Sequence, residues 1–366
     1  MTEYEKISQF NMKNKSSNKV TLKMIAEKAG VSVSCVTRCI NDSGYVAEKK
    51  KKAVQAVMEE LKYVPNRHAR MLRGERSKLL AYIYLAVDEN IFFTKIATRI
   101  ESISFRKGYT ILSFALTNTN SVAFKEVMES LMSYGVDGLI FNTGSNQSII
   151  EKVREVVRTI SVPTVMIERC GDIYNVEKVL IDNTEGSYIA VSKLAAMGHR
   201  RIGFFGVNPE SKVEQERYDG YLQAMEEVDP EYAKGHSFFT TAYTVENGCY
   251  RFREILDILK KEEKSVKPTA FLIASDILAA GAYRAISERG LKIPDDISLV
   301  GYDDTIAEFL SPPLATMQLP AEEIAEAATD ILIDRIESST EHDAHRTVKI
   351  GPVFIPRRSV KDLRGQ

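Results

Sequence analysis

Hydrophobic positions between Val20 and Leu61 recur at helical spacing in three short runs. Leu22, Ile25 and Ala26 make one apolar stripe, Val36, Cys39 and Ile40 a second, and Val54, Val57, Met58 and Leu61 a third. Ala29-Gly30-Val31 separates the first two, and Gly30 supplies the positive φ that a tight turn between steeply crossed helices demands. The pattern predicts a helix-turn-helix unit closed by a third helix. Ser32 is placed to accept the free N–H groups at the start of the second helix. Met24 and Ala47 stand where a capping side chain is expected, so those two helix starts should be weak.

The face of the second helix opposite its apolar stripe carries Val33, Ser34, Thr37, Arg38 and Asn41. These side chains are short or polar enough to reach base edges in a major groove, and Arg38 can pair bidentately with guanine. An ordinary surface pair of helices shows the same division of faces, so the residues downstream of Leu61 decide between the two. A Tyr63-Val64-Pro65 break ends the third helix, and Asn66 to Arg73 is too short and too polar to be a stable helix alone.

After Gly74 the rhythm changes to alternating strands and helices. Apolar runs at Leu79 to Ala86, Thr110 to Ala115, Gly138 to Phe141 and Pro163 to Ile167 alternate with helical patterns such as Ile96 to Arg106 and Phe124 to Ser133. A second series lies at Lys178 to Ile181, Arg201 to Phe205, Ala270 to Ala274 and Ser298 to Tyr302. Its helices fall near Gly186 to Met197, Gln215 to Val228, Glu246 to Lys260 and Leu278 to Arg289. Two open parallel sheets in tandem are expected. Residues 1–18 are polar and aperiodic and read as a flexible arm.

Composition sharpens this division. The 366 residues carry a net charge of −1, but residues 19–74 hold twelve Lys and Arg against five Asp and Glu, a balance of +7. With residues 1–18 at +1, residues 75–366 are left at −9. Basic charge is therefore concentrated in the small helical unit, as a nucleic-acid reader requires. Cys35, Cys39, Cys170 and Cys249 form no CxxC pair and fit a reducing compartment. Cys35 and Cys39 lie one helical turn apart and are expected to be packing residues rather than a redox or metal site. No run of 18 apolar residues and no apolar leader is present, so a cytoplasmic, nucleoid-associated protein with no membrane contact is expected.

The order of TLKMIAEKAGVSVSCVTR, GYV, YVPNRHARML and GYDDT resembles the lactose and galactose repressor family over nearly the whole chain from Val20 onward. The resemblance implies an N-terminal all-α helix-turn-helix headpiece plus an α/β periplasmic-binding-protein-like core of two doubly wound parallel-sheet lobes. The expected domains are the arm at 1–18, the reader at 19–65, a hinge helix and linker at 66–77, and a core at 78–366. Within the core the first lobe is expected at about 78–178 plus 320–345 and the second at about 179–319 plus 346–366. The family's hinge helix forms in the minor groove, paired with that of a second subunit, and a leucine at the position of Leu72 wedges between base pairs. Ala69 would share its face. Thr21, Leu22, Ser32, Tyr63 and Asn66 complete the DNA-contacting set with the α-helical face already described.

Ligands of open α/β sheets sit outside the carboxyl ends of the strands. That rule selects Asp88 and Asn90, Phe92 and Phe93, Glu168, Ser275 and Asp276, and Asp303 and Asp304; Arg217 lies in a helix after the Arg201 strand. By resemblance, Arg217 and Asp303 clamp the polar groups of an effector, while Tyr243 and Phe92 or Phe93 form its aromatic walls. Guanidinium, carboxylate and an aromatic ring together suit a sugar. Core packing is the competing reading for the three aromatics, and an inter-lobe salt bridge for Arg217 with Asp303. Ser275 stands where the family places an asparagine, and Leu319 where a polar side chain often reaches the ligand, so sugar selectivity should differ from the family pattern.

Five histidines show no nucleophile spacing, and GxSxG, GxxxxGK and HExxH are absent. His199 reads as a structural turn residue, and the loop holding His342 and His345 lacks further metal ligands. No catalytic residue, metal or cofactor is expected. The reading is a homodimeric repressor of carbohydrate-use genes on a near-palindromic double-stranded operator, with a sugar-like effector in the inter-lobe cleft. Two alternatives stand beside it: a DNA-binding regulator that senses a protein partner or a non-sugar metabolite, and a sugar-modifying enzyme.

Overall fold

A computed structural model describes residues 20–41, 44–63, 76–85, 91–116, 121–142, 147–168, 173–210, 212–338 and 344–365. The arm at 1–18, the hinge positions Asn66, Ala69 and Leu72, and Asp88, Asn90, Cys170 and His342 lie outside the described residues. The chain divides into two compact units, residues 1–75 and 76–366.

The first unit holds α1 (Leu22–Ala29), α2 (Val33–Asn41) and α3 (Glu48–Glu60). Ile25, Ala26, Val36 and Val54 are its buried centre, with Leu22, Cys39, Ile40, Val57, Met58, Leu61 and Tyr63 packed around them. Each helix thus contributes the stripe its spacing predicts. Gly30 ends α1 in the left-handed region at φ 66°, where its N–H reaches the carbonyls of Ala26 and Glu27. The start of α1 differs from expectation. Thr21, not the Met24 position, is the cap, and its Oγ1 accepts the Met24 N–H at 3.3 Å. Ala47 does begin α3 without a side-chain cap.

The second unit contains two six-stranded sheets. In the first, β1 (Leu79–Leu85), β2 (Thr110–Leu116), β3 (Gly138–Asn142), β4 (Thr164–Ile167) and β5 (Glu177–Ile181) are joined through α4 (Ile91–Arg106), α5 (Ser121–Ser133) and α6 (Gln147–Val157). In the second, α7 (Asn183–Ala196) leads to β6 (Ile202–Val207), α8 (Lys212–Val228), α9 (Pro230–Gly235), β7 (Ser237–Thr240) and α10 (Val245–Lys260). β8 (Ala270–Ile273), α11 (Asp276–Glu288), β9 (Ser298–Asp303) and β10 (Ala315–Gln318) come next. α12 (Ala321–Glu337) and β11 (Thr347–Ile350) return to the first sheet, and β12 (Val353–Ile355) closes the second.

Strand order is β11-β5-β4-β3-β1-β2 in one lobe and β12-β10-β9-β8-β6-β7 in the other, all pairs parallel except β10 with β12. The interior strands β3, β4, β8 and β9 are buried along their whole length, as sheets covered by helices on both faces require.

Two expected lobe boundaries are corrected by this pairing. β5 belongs to the first lobe, where Val165, Met166 and Ile167 pair with Glu177, Lys178 and Val179, so the chain crosses at Asp182 rather than at 179. β11 also belongs to the first lobe through its pairing with β5, so the last crossing lies at Gly351-Pro352 rather than at 345. The physical reason is shared: both strands sit toward one edge of the sheet and alternate in burial, and neither composition reveals a partner.

Candidate functional site

The carboxyl ends of β8 and β9 and the starts of α7 and α8 meet around one guanidinium. Arg217, in the second turn of α8, is 7% exposed. Its Nε donates to Asn183 Oδ1 at 3.1 Å, one terminal nitrogen donates to the Ala274 carbonyl, and the other donates to Asp303 Oδ1 at 3.1 Å. Its guanidinium carbon lies 4.0 Å from the centre of the Tyr302 ring. Burial alone would favour losing the Arg217 proton, but the Asp303 carboxylate outweighs it and holds the group above its ordinary value. Arg217 and Asp303 are therefore a buried pair within one lobe, not a bridge between lobes, because β9 belongs to the second sheet and α8 packs on β6 of the same sheet.

Asp303 itself adopts φ 103° and Asp304 φ 54°, so the backbone turns sharply as β9 ends. Asp304 is gripped by Arg357 at 2.8 Å and by Gln318 Nε2 at 2.7 Å. From the other lobe, Lys95 of α4 donates to the Asp304 carbonyl at 3.2 Å. That contact marks where the two lobes face each other.

The remaining candidates divide by how their polar atoms are used. Ser275 is buried and caps α11, its Oγ accepting the Leu278 N–H at 3.2 Å. Glu168, at φ 59°, is buried and accepts the Ile181 N–H at 2.7 Å, so this carboxylate fastens the end of β5 beside the crossing. Tyr243 is half-buried against the second lobe's core and lies close enough to act electrostatically on Arg217. Phe92 is 3% exposed within the core, whereas its neighbour Phe93 is partly exposed, their rings 5.8 Å apart and tilted by 58°. Only Phe93 of that pair keeps a face to offer. Leu319 is buried at a crossing and belongs to the core.

In the small helical unit, Thr21, Ser32, Val33, Ser34 and Arg38 are exposed, Thr37 is partly so, and Asn41 ends α2. Ser32 Oγ accepts the Cys35 N–H at 3.2 Å, and Arg38 Nε donates to the Ser34 carbonyl at 3.3 Å. Leu22 and Tyr63 are half-buried against the core of the unit. Cys35 is buried, as a packing thiol should be.

Residues 21–66 match the family described as bacterial regulatory proteins of the lacI family, and residues 191–360 match a periplasmic binding protein-like domain. The ribose operon repressor of Haemophilus influenzae is 31% identical over 345 residues, covering 94% of this chain and 99% of that one.

The chain belongs to the lacI family.

It is a DNA-binding transcriptional regulator with a two-lobed core. The repressor PurR of Pectobacterium atrosepticum is 33% identical over 347 residues, covering 93% of this chain and 97% of its own. The lac repressor dimer bound to operator and the anti-inducer ONPF superposes with a TM-score of 0.76 at 26% identity, covering 94% of this chain and all of that one. A complex of the regulator CelR with cellobiose gives 0.66 at 26% identity, covering 93% and 99%.

Three residues at the cleft of this lacI-family regulator escaped the reading of the sequence. Asn183 and Tyr302 complete the setting of Arg217, and Asn142 ends β3 fully buried with its Oδ1 lacking a partner among the described residues. Asn142 obeys the same strand-end rule that selected Glu168 and was legible by it.

Asp276 adds a titratable feature. Burial, then the Asp303 charge, push its carboxyl up to about 7, although Thr316 Oγ1 donates to it at 2.7 Å and the Thr305 N–H at 2.8 Å. A folded-state value above the unfolded one means the native state binds the extra proton between about pH 4 and 7. This group's contribution therefore improves as pH falls through 7 and is unfavourable above it. The melting temperature should carry a component that rises from pH 8 to pH 5 and disappears in Asp276→Asn. An identical pH profile in wild type and variant would show that Asp276 is ionised throughout.

Proposed function

We propose that this lacI-family protein is a repressor of carbohydrate-use genes that binds a near-palindromic operator as a homodimer and is controlled by a sugar-like molecule in the cleft. The observation that supports this most directly is the Arg217–Asp303 pair at the carboxyl ends of parallel strands, facing the first lobe, which reaches across through Lys95. A fixed carboxylate and guanidinium beside a half-buried tyrosine offer paired hydrogen bonds to vicinal hydroxyls and an apolar wall for the ring. The similarity to the ribose operon repressor and the cellobiose-bound CelR supports the same class of ligand.

Two α2 helices would enter successive major grooves, with paired segments around Asn66, Ala69 and Leu72 folding between them. A ligand shifts that equilibrium by its differential affinity for the two lobe arrangements, so induction and co-repression share one mechanism. The exposed row on α2 would read the bases. Arg38→Ala should cost about 1–3 kcal/mol and relax preference at a single base position. Uniform loss on all sequences, read by fluorescence anisotropy on a mismatch series, would reduce Arg38 to a phosphate contact.

The test of the whole reading is anisotropy on DNA flanking the coding region, titrated with ribose, cellobiose and related sugars. One sugar should move the half-saturation point about tenfold or more and emerge chemically unchanged. Response to no sugar, with response to a purified protein or to a non-sugar metabolite, would transfer the sensing role to that class. Turnover of the sugar would make the core an enzyme.

A further inference from the structure

A second cavity of about 570 Å³ opens at the far ends of the second lobe's strands, away from Arg217. Its lining comes from the residues just before β6, β8 and β9, where Arg201, Thr269 and Ile297 stand, from the last turn of α10, and from Arg289 and Leu291 just after α11. Ala274 and Asp303, which hold Arg217, lie at the opposite ends of the same strands. From Thr269 to Ala274 the strand takes five steps, which separate the two regions by roughly 16 Å.

The chemistry of this cavity is lopsided. Its floor is apolar and buried: Leu256, Leu259 and Ile297. Its rim carries Arg201, Lys260, Lys264, Lys267 and Arg289 against two carboxylates, in a core whose net charge is negative. Both carboxylates are already committed. Asp257 pairs with Arg289 at 2.7 Å, and Asp296 accepts the Lys292 N–H at 2.7 Å. Arg201 is held in place by its Nε donating to the Lys267 carbonyl at 2.8 Å. Among the described residues, Lys260, Lys264 and Lys267 form no ion pair, although Glu262 and Glu263 are close in sequence. Glu262 meets His236 instead, and Glu263 accepts from Ser265.

A lysine ending a helix is ordinarily explained by the negative carbonyl end, and Lys260, the last residue of α10, fits that account. Lys264 and Lys267 lie beyond the helix, and Arg201 comes from another segment. Cations converging from separate segments on an apolar floor leave an electrostatic demand that the protein does not meet. The volume is that of a small-molecule site, too large for a bare inorganic anion to fill.

We propose that this cavity is a second ligand site, taking a small phosphate-bearing metabolite whose apolar or ring-shaped body rests on Leu256, Leu259 and Ile297 and whose phosphate meets Lys264, Lys267 and Arg201. It is independent of the cleft and of whatever the cleft binds.

The test uses the full chain, with glucose 6-phosphate and AMP as separate probes of a sugar or nucleotide body and sulfate as the inorganic control. Calorimetric titration at about 0.15 M salt suppresses loose surface attraction. One organophosphate should bind, and amide exchange should slow in residues 256–269 and 289–297. The double variant Lys264→Ala, Lys267→Ala should weaken that binding by about tenfold or more, since charge-assisted hydrogen bonds to phosphate are lost. Absence of binding by both probes, protection confined to the segments around Asn183, Ala274 and Asp303, or equal competition by sulfate would each overturn the proposal.

Discussion

Arg217→Ala is expected to lower the unfolding free energy by about 3–5 kcal/mol, the usual result of removing one partner of a buried ion pair. The guanidinium fills three acceptors at once: Asn183 Oδ1, the Ala274 carbonyl and Asp303 Oδ1. Alanine would remove the guanidinium donor from all three and the opposing cation from Asp303. Arg217→Lys should recover part of the loss, because an ammonium can oppose Asp303 but cannot span the other two acceptors. Thermal unfolding reads the stability, and operator binding at a temperature where the variant remains folded reads the response to sugar. Response should vanish while the small helical unit, a separate compact body, still binds DNA. A melting temperature within a degree or two of wild type would mean that the network contributes little and that Arg217 is held for the ligand alone.

Gly220→Ala should also be strongly destabilising, by about 3 kcal/mol, the upper end of the usual cost of overpacking. A Cβ there would fall 2.1 Å from the Thr184 carbonyl oxygen and 3.0 Å from Ser187 Cβ. Backbone cannot turn aside as a side chain can, so α8 would have to part from α7. The parting begins one turn from Arg217 and its bond to Asn183, so ligand response should fail together with stability. Gly235→Ala is the matched control, since nothing lies within 4 Å of its would-be Cβ at the end of α9. It should be neutral or gain up to about 1 kcal/mol. Equal melting of the two variants would refute the close approach of α7 and α8.

Much of this architecture was legible in the chain. The three-helix unit was, because Gly30 and the three apolar stripes leave few other ways to bury Ile25, Val36 and Val54. The central strands were, because Gly138 to Phe141 or Ala270–Ile273 is apolar on both faces. What escaped has short or ambiguous patterns. β11 reads Thr-Val-Lys-Ile with alternating exposure, β12 is three residues long, and α12 builds its buried stripe partly from alanines and Thr329.

The candidate cluster was legible as chemistry but not as geometry. The strand-end rule points to Asp303 and the family resemblance pairs it with Arg217, yet only the strand order shows that they share a lobe. Glu168 and Ser275 stand at strand ends, and their oxygens fasten Ile181 and cap α11. Sequence reveals which groups can make hydrogen bonds. Which bonds the fold has already claimed depends on partners far along the chain.

Gly351 and Pro352 alone connect β11, an edge of one sheet, to β12, an edge of the other. Beyond them Ser359 Oγ accepts the Ala315 N–H and donates to the Leu299 carbonyl, and the Leu363 N–H reaches Met197. Neither half can therefore finish its sheet while the ribosome still conceals residues 347–363. The nascent polypeptide must wait, with two incomplete sheets exposed at once, and a stall or nick in this stretch would cripple both halves together.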